Sequence, residues 1–200
     1  MTGRRFLSAI ALCAVLFASS GCIMEEKVLD IVVTGEASTD FAQNETTAQW
    51  SAPALIDVAG EIRNILEENG YDESDLKDAK MTSASYGVTT FSQAHDWAIT
   101  GTITVTYGAN TQTLVAYTGQ SIQGALGQKI ATPLQAGGVN LVNAALQDFL
   151  DGGSPSLIFS INNSATTPTP SLLDPMIFDW RSWFAIQVII NETVEVPDPF

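Results

Sequence analysis

Thiols and basic side chains are what this sequence has least of. Its 200 residues hold two cysteines, Cys13 and Cys22, both within the first 22 positions. Beyond Cys22 that excludes a disulfide framework, a cysteine-based zinc site and a dithiol redox pair. Eight Lys and Arg stand against 22 Asp and Glu, for a net charge of −14 at pH 7. Nucleic-acid binding needs cations that displace counterions from phosphates, and adsorption to anionic lipid head groups needs them too, so neither class fits. Histidine occurs once, as His95. No stretch has the roughly 20 consecutive apolar residues that a membrane-spanning helix requires.

What is present begins with the first residues, MTGRRFLSAIALCAVLFASSGC. Arg4 and Arg5 form a short positive start, Phe6 to Ala18 is almost wholly apolar, and Ser19, Ser20 and Gly21 are small. This is the layout of a secretory signal peptide. The stretch SSGC resembles the lipobox of bacterial lipoproteins, with Ser20, Gly21 and Cys22 in its pattern and Ser19 where Leu is usual. The resemblance implies a signal peptide of residues 1–21 that is removed, acylation of Cys22, and a short tether over 22–26. Two or more acyl chains on one cysteine give stable attachment, because each buried methylene contributes about 0.8 kcal/mol. Ile23, rather than Asp, follows the cysteine; by resemblance to the familiar sorting rule, this implies the outer membrane. Loss of Arg4 and Arg5 with the signal takes the net charge from −14 to −16.

Residues 27–200 read as one α+β domain, mainly β: an antiparallel sheet or β-sandwich closed by two amphipathic helices, in the order β-α-βββ-α-ββ. Leu29, Ile31 and Val33 alternate as a first strand, and EASTDFAQNETTAQW after it is polar and loop-like. Ser51 as N-cap, Pro53 in a first turn, and Leu55, Val58, Ile62, Ile65 and Leu66 at helical spacing predict a helix over about 53–68. In WAITGTITVTY, Trp97, Ile99, Ile103 and Val105 share one face, and Thr100, Thr102, Thr104 and Thr106 the other. Such alternation belongs to a strand with one buried and one wet face. A second helix is expected over about 138–150, followed by a strand at SLIFSI, a Pro- and Thr-rich loop from Asn162, and a closing strand in WFAIQVIINETVEV.

Several residues invite chemistry. His95 with Asp96 and a serine, Ser92 or Ser154, would be the raw material of a hydrolase. Neighbours in a strand point to opposite faces, however, and GGSPS lacks the glycine that a nucleophile elbow needs. No catalytic residue is therefore expected, and the chain reads as non-enzymatic. The acidic segment 67–78 offers Asp72, Glu73, Asp75 and Asp78 as candidate calcium ligands, since calcium takes six to eight oxygens. The spacing is not that of an EF-hand loop, and a solvated connector is the plainer interpretation. Gly119 and Gly124 share the first spacing of a phosphate-binding loop, but Ala125 stands in the lysine position, so no cofactor is expected. Phe178, Trp180 and Trp183 could form an aromatic surface for a partner, because Trp dominates binding hot spots, although packing in the core is the plainer interpretation.

These readings lead to an expectation: a membrane-anchored bacterial lipoprotein acting as a structural or binding module of the cell envelope. Its partner would be an envelope protein, a glycan or an apolar ligand. The alternative is a carrier that holds a hydrophobic ligand between the helices and the sheet.

Overall fold

In a computed structural model that describes residues 24–197, the protein is mostly antiparallel β-structure with a few helices. Eight strands are joined in the order β1 (Met24–Glu45), β2 (Gln49–Asp57), β3 (Leu76–Phe91), β4 (Ala98–Tyr107), β5 (Asn110–Ser121), β6 (Ile130–Thr132), β7 (Ser156–Thr167) and β8 (Met176–Pro197). Helix α1 (Val58–Glu68) lies between β2 and β3, α2 (Ile122–Ala125) between β5 and β6, and α3 (Ala136–Leu150) between β6 and β7. The strands form two four-stranded sheets, β1-β8-β3-β6 and β2-β7-β4-β5. The chain divides into two compact units. One is Ile31–Ile190; the other contains, of the described residues, 24–30 and 191–197. In the small unit, Val28 and Leu29 are exposed.

The core of the large unit is made by period-two alternation. Ile99, Ile103 and Val105 of β4 and Leu157, Phe159 and Ile161 of β7 are buried on one sheet. Tyr86 and Val88 of β3 and Phe178, Trp180, Phe184 and Ile186 of β8 are buried on the other. Aromatic rings from the two sheets meet. Phe159 lies 4.3 Å from Phe184 between centroids, and Tyr117 of β5 lies 5.2 Å from Tyr86 and 5.4 Å from Trp180. Tyr86 in turn stacks on Trp180 at 4.7 Å. Ring pairs in this range add about 0.5–1.5 kcal/mol each beyond the area they bury.

The element order adds β2, α2 and β6 to the expected β-α-βββ-α-ββ, and three of the expected boundaries move. Residues 36–45 continue β1 instead of forming a loop, with Ala37, Phe41 and Gln43 buried. Residues 49–57 are a strand, so α1 starts at Val58, and Ser51 and Pro53 precede it. Proline cannot donate to a ladder but is tolerated on an edge strand, and β2 is an edge of its sheet. Tertiary pairing of Gln49–Asp57 with Ser156–Ser164 of β7 thus overrides the local helical spacing. Third, β7 runs on through Thr167, past the point at which Asn162 suggested a loop.

Helices α1 and α3 cover apolar surface. Val58, Ala59, Ile62, Ile65 and Leu66 are the buried stripe of α1, and Val142, Ala145, Leu146 and Phe149 that of α3, which packs on β3, β4 and β5. The first turn of α3 approaches β5 so closely that a Cβ on Gly138 would lie 2.5 Å from Leu114 Cα. Helix propensity alone would favour alanine there by about 1 kcal/mol. The backbone contact reverses the sign, so Gly138→Ala is expected to lower stability by about 2 kcal/mol or more. Urea unfolding checks this; an unchanged or higher midpoint would show that the helix can shift outward without loss.

Gln43 supplies a second test. It is buried, and neither its carboxamide nitrogen nor its oxygen has a hydrogen-bond partner among the described residues. An unsatisfied buried polar group costs about 1–3 kcal/mol. Gln43→Leu should therefore raise the thermal midpoint, and a fall would mean that the amide is satisfied in solution.

Candidate functional site

His95, Asp96 and the two candidate serines, Ser92 and Ser154, do not come together. His95 Nε2 lies 3.4 Å from Asp174 Oδ2 rather than against Asp96, and its ring packs on Trp97 at 4.6 Å. Asp96 instead caps α2. Its carboxylate accepts from Ser121 Oγ at 2.5 Å and from the amides of Gln123 and Trp97, both at 2.8 Å. Ser121 Oγ accepts from the Gly124 amide at 2.7 Å. Burial pushes the Asp96 carboxyl up, but these bonds outweigh it and hold the group below the usual carboxylate range. Ser92 and Ser154 are exposed in the turns before β4 and before β7.

The acidic segment is also tied up internally. Asp72 and Asp75 form a reciprocal capping box around a single 3₁₀ turn, Glu73–Asp75. Glu73 pairs with Arg63 of α1, and Asp78 accepts from the Ala79 amide at 2.9 Å. Among the described residues, no group of three or more His, Cys, Asp or Glu is placed to hold a metal ion. Of the aromatic trio, Trp180 and Phe178 lie in the core at 0% and 2% exposure, where they cannot present a partner surface. Period two points both inward from β8. Trp183 is half-buried on the other face, with Lys129 Nζ 5.3 Å from its ring centroid. Cys22 lies outside the described residues. Among those described, no helix is long and apolar enough to cross a membrane.

What the fold does bring together is the outer face of β2-β7-β4-β5. The four strands have 9, 12, 10 and 12 residues, and their only charged side chain is Asp57, at the end of β2. In a chain with 30 charged residues, this sheet carries one. Register aligns the outward side chains into rows. Gln49, Ser164 and Thr100 form one, Ser51, Asn162 and Thr102 the next, and Pro53, Ser160 and Thr104 a third. Side-chain bonds run across the rows. Ser51 Oγ donates to Asn162 Oδ1 at 2.9 Å, and Asn162 Nδ2 donates to Thr104 Oγ1 at 3.1 Å. An open, shallow groove of about 480 Å³ crosses this face, lined by Gln49, Trp50, Thr100, Asn162, Asn163 and Ser164.

The inner side of the same strands holds the groove's backbone in place. Trp50, Asn163, Gly101 and Tyr117 lie opposite one another in register across β2, β7, β4 and β5. The buried Tyr117 hydroxyl donates to Asn163 Oδ1, and burial pushes that phenol well above its ordinary range. A Cβ on Gly101 would lie 2.2 Å from Asn163 Oδ1, so only glycine leaves room for the amide. Trp50 is buried and its Nε1–H has no acceptor among the described residues. Sequence reasoning found the threonine face of β4 but not its continuation. Ser160, Asn162 and Ser164 alternate with Ile161 and Ala165, and that alternation is the signal that the loop-like composition hid.

No protein-family model matches this chain, and no curated protein matches it. Among solved structures it is similar to a chain of Desmodium yellow mottle tymovirus, at 11% identity and a TM-score of 0.37, covering 86% of this chain and 93% of the other. A chain of the Gt strain of infectious bursal disease virus is similar at 10% identity and a TM-score of 0.30, over 88% of this chain and 43% of its own.

The cap on α2 yields a pH prediction. A carboxyl held below its unfolded value contributes stability that is present above the unfolded pKa, about 3.9, and lost as pH falls through the lower folded value. Asp96→Asn should therefore melt below the wild type at pH 7, with the gap closing toward pH 2. A gap of constant size from pH 7 to pH 2 would contradict the capping role.

Proposed function

We propose that this chain is a lipid-anchored module of the bacterial cell envelope that binds a partner and performs no catalysis, built as a jelly-roll sandwich. The order β1-β8-β3-β6 and β2-β7-β4-β5 is that of two interleaved Greek keys, and the ring contacts between the sheets support face-to-face packing. That fold serves many tasks and assigns none by itself. The anchor rests on the lipobox-like SSGC ending at Cys22, with the outer membrane as its destination.

The observation that carries the binding reading is the hydrogen-bonding outer face of β2-β7-β4-β5, uncharged apart from Asp57 at its margin, and its groove. A surface kept free of charge in so acidic a chain is inexpensive to strip of water, because no ion has to be desolvated. The carrier reading has little room. The apolar space lined by Val142, Leu146, Leu157, Phe159, Phe184 and Ile186 amounts to about 20 Å³, against several hundred for an ordinary ligand pocket.

Attachment is tested by growing cells with an alkyne fatty acid and fractionating them. The wild type should carry the label and sediment with membranes. Cys22→Ala should carry none and appear in the soluble fraction, and a Cys22→Ala protein that still labels or sediments would overturn the anchor.

A further inference from the structure

We infer that the outer face of β2-β7-β4-β5 is a binding site for a neutral polysaccharide, with Asn162 at its centre. This inference rests on the reading of the chain as a binding module and names the ligand class. Charge decides first. An anionic ligand would find no Lys, Arg or His on these four strands, and a cationic one only Asp57 at the margin. The ligand that matches is uncharged and makes many hydrogen bonds.

The face offers hydroxyl and carboxamide groups that both donate and accept. They are repeated about 4.8 Å apart across the strands and about 6.8 Å apart along them. A chain of sugar hydroxyls meets such a lattice without desolvating an ion, exchanging water for protein partners at each contact. The lattice is held in advance. Asn162 is fixed between Ser51 and Thr104, and Thr100 Oγ1 accepts from the Gly119 amide at 2.9 Å. Less rotamer freedom is then lost on binding, which is the advantage of preorganisation. Beyond the third row, Leu55, Ile158 and Thr106 form a fourth, in which Leu55 and Ile158 are 70% and 42% exposed. They give the C–H faces of sugar rings an apolar strip beside the hydroxyl rows. The groove is open rather than enclosed, which suits a ligand that lies along the surface.

The test uses the full acylated chain in detergent micelles, mixed with insoluble cellulose, chitin or curdlan, with an anionic polygalacturonate gel as control. Depletion of protein from the supernatant gives the affinity. The wild type should bind at least one neutral polymer and not the anionic gel. Asn162→Ala should weaken that binding about fivefold, the equivalent of one neutral hydrogen bond. Ser164→Ala, which leaves the Ser51–Asn162–Thr104 ladder intact, is the second variant should the first fail to fold. No binding to any neutral polymer, binding only to the anionic gel, or binding that both folded variants retain in full would each overturn the inference. Thr102→Cys carrying a photo-crosslinker, expressed in cells, separates this failure from that of the broader reading. A protein captured at that position would overturn the polysaccharide but keep the binding module. Capture of nothing, together with no polymer binding, would overturn both.

Discussion

The layer of rings between the two sheets is the contact on which the rest of the large unit depends. Phe159 against Phe184, and Tyr117 against the stacked pair of Tyr86 and Trp180, join strands that are far apart in sequence and belong to different sheets. The polar atoms in this layer are positioned as carefully as the apolar ones. Tyr117 reaches Asn163, Tyr86 reaches Gln120 at 3.1 Å, and Trp180 Nε1 reaches Ser182 Oγ at 3.2 Å. Each bond removes a desolvation cost that an unpaired phenol or indole would impose in the core. Gly101 belongs to the same arrangement, because a methyl group there would displace the Asn163 amide.

Because the inner face supplies the cohesion, the outer face of β2-β7-β4-β5 is left free of folding duty. Its threonines and serines suit a pleated surface in any β-protein, so hydroxyls alone would say little. The absence of charge says more. Strands β1, β3 and β8 of the other sheet carry Glu36, Asp40, Lys77, Asp78, Lys80, Asp179 and Arg181, and some pair across the sheet. Arg181 forms a two-pronged bond with Asp40, at 2.5 and 2.7 Å. Both sheets come from one acidic chain, yet one of them carries Asp57 as its single charge. Acidity elsewhere discourages self-association, and this face has the least charge to repel an approaching molecule.

Much of this was legible in the sequence, and the failures have physical causes. The threonines of β4 alternate so cleanly with Ile99, Ile103 and Val105 that the strand and its wet face follow from period two. The stripe of α1 was equally plain, but its start was not. Pro53 and Leu55 fit a first helical turn locally, whereas pairing with Ser160 and Ile158 of β7 decides the matter. The loop-like composition after Asn162 concealed half the candidate face, because Asn and Ser are turn formers until a neighbouring strand supplies a ladder. Trp180 and Phe178 were legible as a hydrophobic cluster with core packing the plainer interpretation, but a single strand's alternation does not say which side another sheet will cover. That β2, β7 and β4 lie side by side is a property of strand order, and no local pattern carries it.

The central claim is that one neutral sheet face meets a neutral polysaccharide. Backbone amide chemical shifts of the full chain in micelles, followed as a soluble neutral oligosaccharide is added, test it most directly. Shifts concentrated at residues 49–51, 100–104 and 160–164, saturating together, are the expected result. Shifts spread over the acidic turn at 72–75 or confined to the opposite sheet would contradict it.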